Sequence, residues 1–412
     1  MKENAGGGAW PKACGAEGKR AWDGWARFPL SVYLRPARRG ADRRKRGSGQ
    51  RKDRERGAMK SQITMKDMAQ HFGMSLNTIH KAITGKPGVS EATRRRVLEY
   101  AAANGYRINS MASCLKRGDI QIAVCFPELD KNSVYFYNFI WQGYLGYMRE
   151  WSDLNVHARE LPFKRGELAG TLRLLNERME NGDRLDGLLM IPPEGEEEVL
   201  EVKKLTKRGV EVVFVTGDNG ECQRLGAVVA DYYAAGAVMA EQAGNILGGQ
   251  GRVLLMAGNQ YNDAHYMIAK GFHEYIRREG WGIRTENLYG YFEEEQGKRE
   301  LLKKIQEIQP DLIGCVFARG SAVLAGVLRE GGLAGQIPVI ANDVFAESVT
   351  ALREGVFTNL VYKDPARQAY MAANMLCGYL VKGEQPAEQV KKVEIALIFR
   401  SNVNYYWKQE KR

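Results

Sequence analysis

Short apolar runs alternate with longer amphipathic segments from Ile120 almost to the end of the chain. The runs have the length of strands, and the segments between them carry apolar residues at helical spacing. Such alternation predicts parallel sheets with helices on both faces. The predicted strands cover residues 120–126, 186–191, 210–215, 252–256, 312–317, 337–341 and 358–362. The predicted helices include residues 167–180, 232–247, 263–278, 296–308 and 365–380.

The length of this α/β segment, residues 119–412, predicts two lobes rather than one. It exceeds what one doubly wound sheet usually needs, and the whole chain of 412 residues calls for more than one core. Ligands in such folds bind at the carboxyl ends of the strands. We therefore expect a small molecule to bind in a cleft between the lobes.

Motifs of catalysis, cofactor binding and metal binding are absent from the sequence. The glycine-rich residues 244–251 lie between a helix and the next strand, so they predict a turn and not a dinucleotide cradle. The sequence holds no nucleophile elbow, phosphate loop, His-Glu-x-x-His or Cys-x-x-Cys. We expect no cofactor, no metal and no enzymatic activity.

Charge divides the chain unevenly. Residues 1–58 hold 16 Lys and Arg against 6 Asp and Glu, residues 59–119 hold 10 against 4, and the remainder holds 34 against 39. A basic front and a mildly acidic body are expected when one end binds nucleic acid. The six cysteines are scattered, no apolar run is long enough to span a membrane, and the first residues have no apolar signal core. These features predict a reduced, cytoplasmic protein without a membrane partner.

Residues 1–58 are rich in Gly, Ala and Arg and show no apolar periodicity. One interpretation is a basic arm that adds nonspecific DNA affinity. The favoured alternatives are a disordered tail or a start codon placed too early, because Met59-Lys60 directly precedes the first ordered pattern.

Residues 62–108 predict three short helices. Thr64 followed by Asp67 is a helix-start signal, and an apolar face at helical spacing follows up to Phe72. Gly73 permits a sharp turn, and Ser75 begins a second helix in which Ile79, Ala82 and Ile83 face inward. A third helix runs from Ser90 to Gly105. Three short helices with a tight first turn are typical of a helix-turn-helix domain.

The same residues resemble the DNA-binding headpiece of the lactose/galactose repressor (LacI/GalR) family. The resemblance covers residues 63–85, 89–98 and 105–109 with the spacing intact. It implies that Leu76, Asn77 and Lys81 read base edges in the major groove, a role that suits their chemistry. It also implies that other residues contact backbone phosphates. These are Ser75, Thr78, His80 and Asn109, and Thr64 is a further candidate DNA contact.

The hinge, residues 109–118, resembles the short linker of that family, whose helix forms on DNA and inserts a leucine into the minor groove. Leu115 is the matching residue, and a helix this short is marginal by itself. His80 and Lys81 replace the family's common Ser and Arg, so the resemblance does not specify the preferred operator. Ile108 replaces a usual Pro, and Ser113 stands where Arg is frequent.

The body resembles the periplasmic-binding-protein type I sensor of the same family, a Rossmann-like two-lobed fold. Phe136 and Tyr137 match an aromatic wall for a sugar ring. Asn342 and Asp343 fall where an acidic ligand residue follows a strand, and Lys363 stands where ribose-type proteins often have Gln. These five residues are the candidate effector contacts.

Two departures affect the expected ligand. Thr216-Gly217 stands where an Asp-Arg pair is common, and Ile268 replaces an arginine. Lys363 favours a ligand with a negative group, so a sugar, a sugar acid and a sugar phosphate all remain candidates.

The sequence thus predicts a cytoplasmic homodimer that binds double-stranded operator DNA, as a repressor controlled by a small effector. The two-fold symmetry follows from two headpieces that read adjacent half-sites. The alternatives are a solute-binding receptor and an α/β enzyme, and a failed turnover screen together with operator binding would exclude the enzyme.

Overall fold

The computed structural model describes residues 63, 65–84, 88–104, 119–131, 133–152 and 154–407. These residues belong to two compact units, a small one that contains residues 65–104 and a large one that contains residues 119–407. The predicted tail 1–58 and hinge 109–118, with Thr64, Asn109 and Leu115, lie outside the described residues.

The described residues of the small unit form three helices, as the sequence predicts. They are α1 (Met65–Phe72), α2 (Leu76–Thr84) and α3 (Glu91–Ala103). Gly73 adopts a φ of 60° between α1 and α2, a conformation that glycine reaches without a steric penalty. The buried core residues of the unit are Met68, Ile79, Ala82, Val97 and Ala101. Ile83 packs against this core, so the predicted inward face of α2 is confirmed.

Lobe 1 of the large unit is built around a six-stranded parallel sheet. Its strands are β1 (Ile120–Cys125), β2 (Val156–Glu160), β3 (Gly187–Met190), β4 (Glu211–Val215), β5 (Gly226–Ala230) and β11 (Val390–Val393), in the order β11-β5-β4-β3-β1-β2. The central strands are apolar along their whole length because helices cover both faces. These helices are α4 (Val134–Glu150), α5 (Leu168–Glu180), α6 (Glu196–Lys207) and α12 (Pro365–Cys377).

Lobe 2 repeats the pattern with one antiparallel edge strand. Its strands are β6 (Gln250–Gly258), β7 (Gly282–Tyr289), β8 (Leu312–Cys315), β9 (Val339–Asn342), β10 (Asn359–Tyr362) and β12 (Ala396–Ile398), in the order β12-β10-β9-β8-β6-β7. Strand β12 runs antiparallel to β10. The helices are α7 (Tyr232–Leu247), α8 (Asp263–Arg278), α9 (Glu295–Ile308), α10 (Ala318–Glu330), α11 (Ala346–Glu354) and α13 (Val403–Tyr406).

Three segments cross between the lobes. Asp231 joins β5 to α7, which packs in the core of lobe 2. Lys363 and Asp364 join β10 to α12, which packs against α4 and the strands of lobe 1. Residues 394–395 join β11 of lobe 1 to β12 of lobe 2. These crossings define the connections about which the lobes can move.

All seven predicted strands and all five predicted helices are present. The helices at 232–247 and 263–278 have the predicted bounds, and the other elements have shifted ends. The last predicted helix ends at Cys377, and a π-helical turn, Gly378–Lys382, follows it. The predicted turn at 244–251 narrows to Gly248 and Gly249, because α7 continues to Leu247 and β6 already begins at Gln250. The predicted strand 312–317 includes Phe317, but the observed strand β8 ends at Cys315 and Phe317 directly precedes α10. Among the described helices, none is both long and apolar enough to cross a membrane.

Candidate functional site

The amino end of α2 presents the first group of predicted DNA contacts. The Ser75 hydroxyl accepts a hydrogen bond from the Thr78 amide at 3.1 Å, so the predicted cap is confirmed. The Ser75 and Thr78 hydroxyls also bond to each other at 2.9 Å. Leu76 is 51% exposed and Asn77 is exposed as well. An exposed leucine beside an amide, at the positive end of a helix, is suited to the major groove.

His80 and Lys81 lie one turn further along α2 and are partly exposed. The Lys81 ammonium lies beside Gly88, where an added Cβ would be 3.4 Å from Nζ. The sequence assigned base contact to Lys81 and phosphate contact to His80, and these contacts stay predictions.

Three of the predicted effector residues form one buried cluster at the carboxyl edge of the lobe 2 sheet. Asn342 ends β9, Asp343 follows it, and Lys363 follows the neighbouring strand β10. The Lys363 ammonium donates to Asn342 Oδ1 at 2.5 Å and to Asp343 Oδ2 at 2.9 Å. The exposure of these three side chains is 4% or less. Adjacent parallel strands bring these groups together because their carboxyl ends share one edge.

Asp343 keeps one oxygen without a partner. Its Oδ1 is buried and accepts no hydrogen bond, while its backbone has a φ of 67°. Burial raises the pKa of the Asp343 carboxyl although Lys363 acts in the opposite direction. Strained backbone and an unsatisfied buried acceptor are both more frequent at functional sites than elsewhere. Asp343 is thus equipped to accept a hydrogen bond from a ligand.

Aromatic side chains face this edge from lobe 1 and from α7. Burial, with Glu194 and Tyr291 as further causes, raises the pKa of Tyr137 to about 12. Burial raises the pKa of Tyr232, and so do the nearby Asp343 and Tyr137. Phe136 packs edge-on against Tyr137, with 5.5 Å between the ring centroids. Tyr232 is thus electrostatically coupled to both Tyr137 and Asp343.

The structure adds cleft residues that the sequence interpretation did not include. The Arg319 guanidinium lies 4.1 Å from the centroid of the Tyr291 ring and forms an ion pair with Glu293. Arg165, from lobe 1, lies 5.9 Å from the same ring. Each of these residues follows a strand within a few positions, and that position was the signal available in the sequence.

His265, at the start of α8, completes the cleft. Its Nδ1 accepts a hydrogen bond from the Asn259 amide at 3.1 Å, so in the neutral ring the proton is on Nε2. Burial, assisted by the charges of Lys363 and Arg319, lowers the pKa of His265 to about 4. The ring therefore offers one neutral N–H donor at physiological pH.

The structure describes both departures from the family pattern and explains the second of them. Thr216 adopts a φ of 69°, and its carbonyl accepts a hydrogen bond from the Tyr232 hydroxyl at 2.5 Å. Ile268 is fully buried in the lobe 2 core. An arginine at position 268 would have to leave that core, so here the position serves packing.

The part of the chain that the structure describes holds no group of three or more His, Cys, Asp and Glu that could bind a metal ion. Its four cysteines, at positions 125, 222, 315 and 377, are free and buried.

Two α/β lobes, three crossings and a polar cleft at the carboxyl ends of the strands define a binding protein of the periplasmic type. The family model of the periplasmic binding protein domain matches residues 175–385, and the chain belongs to that family.

Two curated relatives are a catabolite control protein and a transcriptional regulator. The chain is 27% identical to catabolite control protein A of Priestia megaterium over 176 residues, which are 42% of this chain and 49% of that protein. It is 39% identical over 56 residues to the HTH-type transcriptional regulator AglR of Rhizobium meliloti (strain 1021), which are 14% of this chain and 16% of that protein. The matches thus span half or less of either relative.

Solved structures share the fold of the large unit. A putative LacI transcriptional regulator from Bacteroides fragilis superposes with a TM-score of 0.61 and 16% identity, covering 70% of this chain and all of that one. A transporter solute-binding protein from Burkholderia graminis, in complex with D-arabinose, superposes with a TM-score of 0.62 and 19% identity. The match covers 71% of this chain and 99% of that one. With the two regulators, these matches confirm the resemblance to the LacI/GalR family.

Proposed function

We propose that this chain is a sequence-specific DNA-binding transcription regulator, acting as a repressor, whose affinity for its operator is controlled by a sugar or sugar-derived effector. The observation that carries the proposal is the exposed, capped amino end of α2 in the same chain as a two-lobed binding fold. The similarity to two regulators supports it.

In the proposed complex, α2 lies in the major groove. Leu76 contacts a thymine methyl group, Asn77 pairs with adenine, and Lys81 donates to guanine acceptors. Ser75, Thr78 and His80 contact phosphates and fix the register, and Thr64 and Asn109 would add to these contacts. Leu115 would enter the minor groove. The partner is double-stranded DNA of near-palindromic sequence, because a homodimer presents two equivalent headpieces.

The effector binds between the lobes. Asn342, Asp343 and Lys363 supply polar contacts from lobe 2, and Phe136 and Tyr137 supply an aromatic wall from lobe 1. A ligand that binds the closed arrangement more tightly shifts the population of lobe arrangements, and a coupling of about 1–3 kcal/mol is the usual scale of such control. This regulator would act in the cytoplasm, where its DNA is.

A solute-binding receptor is the second candidate, because proteins of that kind share the fold of the large unit. The small three-helix unit favours the regulator over the receptor, because solute binding alone does not require a separate unit with an exposed helix α2. The two candidates differ in one measurable property, which is sequence-specific DNA binding.

Selection from random double-stranded DNA with the full chain tests the proposal. We expect enrichment of a near-palindromic sequence and its loss in Leu76→Ala and Asn77→Ala, since each good base contact contributes about 1–3 kcal/mol of discrimination. Leu98→Ala is the matched control, because Leu98 is 44% exposed but lies on α3. Failure to enrich any sequence, together with stabilisation by a sugar, would favour the receptor.

A further inference from the structure

Helix α4 is anchored in lobe 1 by aromatic and backbone contacts. Trp141 and Tyr144 pack edge-on against Phe126, with ring centroids 5.2 Å and 6.2 Å from it. The backbone of Gly143 lies directly against Ala366 of α12, where an added Cβ would be 1.9 Å from the carbonyl oxygen. Helix α4 therefore moves with lobe 1.

A second aromatic pair of α4 contacts lobe 2. Tyr135 and Phe139 are four residues apart, so they lie on one face of the helix. The Tyr135 ring lies 5.1 Å from that of Phe345, the residue before α11. The Phe139 ring lies edge-on to that of Trp407, the residue after α13, with 6.4 Å between the centroids. These four residues form an aromatic seam that joins the lobes along α4.

Both lobe 2 residues of the aromatic seam are held by their own lobe. Phe345 is 3% exposed, and its amide donates to Ser348 Oγ at 3.0 Å. Trp407 packs against the core of lobe 2, and its amide donates to the Val403 carbonyl at 2.8 Å. Helix α10 of lobe 2 lies against α4 as well. Because each side of the seam is fixed in its own lobe, a change in the angle between the lobes alters the seam.

The aromatic seam differs in chemistry from the cleft. The cleft edge carries the buried charges of Asp343 and Lys363, whereas the seam consists of ring contacts. The Tyr135 hydroxyl lies near acids of lobe 2, since burial, followed by Glu347 and Glu293, raises the pKa of Tyr135. Aromatic contacts of this kind are stabilising without a ligand. The seam therefore favours the observed arrangement of the lobes by itself.

We propose that the aromatic seam is a latch that holds the two lobes in their observed arrangement, and that its strength sets the affinity for the effector from outside the cleft. For a ligand that binds only this arrangement, the apparent affinity is the intrinsic affinity multiplied by the fraction of molecules that adopt it. The seam raises that fraction although it contributes no contact to the ligand. The inference deepens the proposed function and rests on its effector-controlled movement of the lobes.

The distance between the lobes, measured by double electron-electron resonance in the full chain, tests the latch. Spin labels are attached at Glu196→Cys on α6 and Arg299→Cys on α9, two exposed positions on different lobes. The four described cysteines are buried, and Cys14→Ser and Cys114→Ser leave only the introduced thiols to react. We expect Phe139→Ala to raise the ratio of separated to observed lobe arrangements about tenfold, because it removes a ring contact and its apolar area.

Tyr405→Ala is the matched control, because Tyr405 lies in α13 close to Trp407 but is 79% exposed. We expect its distance distribution to equal that of the labelled chain without further substitution. If Phe139→Ala does not fold, Trp407→Ala removes the same contact from the lobe 2 side, and the same shift is expected. The double variant should open no further than either single variant, since both act through one contact.

An unchanged lobe distance in folded Phe139→Ala or Trp407→Ala would overturn the inference. Additive opening in the double variant would contradict it as well, because it would indicate a general loosening of the chain. The measurement uses neither DNA nor an effector. The latch can therefore fail while sequence-specific DNA binding is found, or the reverse.

Discussion

Gly236 of α7 lies directly against the carbonyl group of Ile268 in α8, where an added Cβ would be 1.9 Å from the oxygen. Gly271 repeats the arrangement one turn away, with the Tyr233 carbonyl 2.1 Å from its Cβ position. The two helices therefore touch through their backbones. Helix α7 follows the crossing at Asp231, and α8 carries His265 in its first turn. The contact between α7 and α8 therefore holds His265 in a fixed position relative to that crossing.

Replacing Gly236 with Ala is expected to destabilise the large unit by about 1–3 kcal/mol or more, because the atom in the way is backbone and cannot rotate aside. Gly326→Ala in α10 is the control, since no atom lies within 4 Å of its Cβ position and a helical alanine is favoured by about 0.5–1 kcal/mol. Urea unfolding of both variants measures the difference. Equal stability of the two would show that α7 and α8 separate at little cost.

Lys363→Met is expected to lower the free energy of unfolding by about 3–5 kcal/mol, because it leaves a buried carboxylate without its partner. The double variant with Asp343→Asn removes that charge, and asparagine tolerates the left-handed backbone of position 343. We expect the double variant to be more stable than Lys363→Met alone. Additive losses in the double-mutant cycle would contradict a coupled pair.

The pKa of His265 predicts a pH dependence of stability. Its value of about 4 in the folded chain is below the ordinary value near 6.5, so between these values the unfolded chain binds a proton that the folded chain does not. The contribution of this pKa difference to the free energy of unfolding is complete above pH 6.5. It is lost as the pH falls towards 4, by at most about 1.4 kcal/mol per pH unit.

The free energies of unfolding of the wild-type protein and of His265→Asn across this pH range isolate the effect. Titration of the carboxyl groups contributes to both values and cancels in their difference. Asparagine can still accept the hydrogen bond from the Asn259 amide. We expect the wild-type advantage to shrink at acidic pH. A constant difference from pH 7 to 4 would mean that His265 takes up its proton in the folded chain.

Leu115→Ala tests the coupling of DNA and effector. A leucine wedge costs the unstacking of a base step, which a bent duplex offsets by presenting more surface. We expect a large loss of specific DNA affinity and of bending, with effector binding unchanged. Circular-permutation gel shifts and operator titrations with and without effector measure this. Full bending and an undiminished effector response would place the coupling elsewhere.

Elements stabilised within their own residues were predictable from the sequence. The apolar face of α1, the Ser75 cap of α2 and the buried strands β3 and β4 depend on local spacing and on continuous apolar runs. Five strands were not predicted. Four of them, β2, β7, β11 and β12, lie at sheet edges, and the fifth, β5, lies inside the lobe 1 sheet. In strand β7, exposed residues alternate with less exposed ones, and strands β11 and β12 are short. All three depend on the strands with which they pair.

The sequence by itself also determined which residue types follow the strands, and hence that Asn342, Asp343 and Lys363 are candidate ligand contacts. Only the tertiary structure decided their charge balance. Lys363 is 20 residues from Asp343, and the two meet because β9 and β10 are neighbours in register. Arg165 and Tyr291 meet only because two lobes face each other. Coulomb interactions depend on distances in space, and no spacing along the chain specifies these.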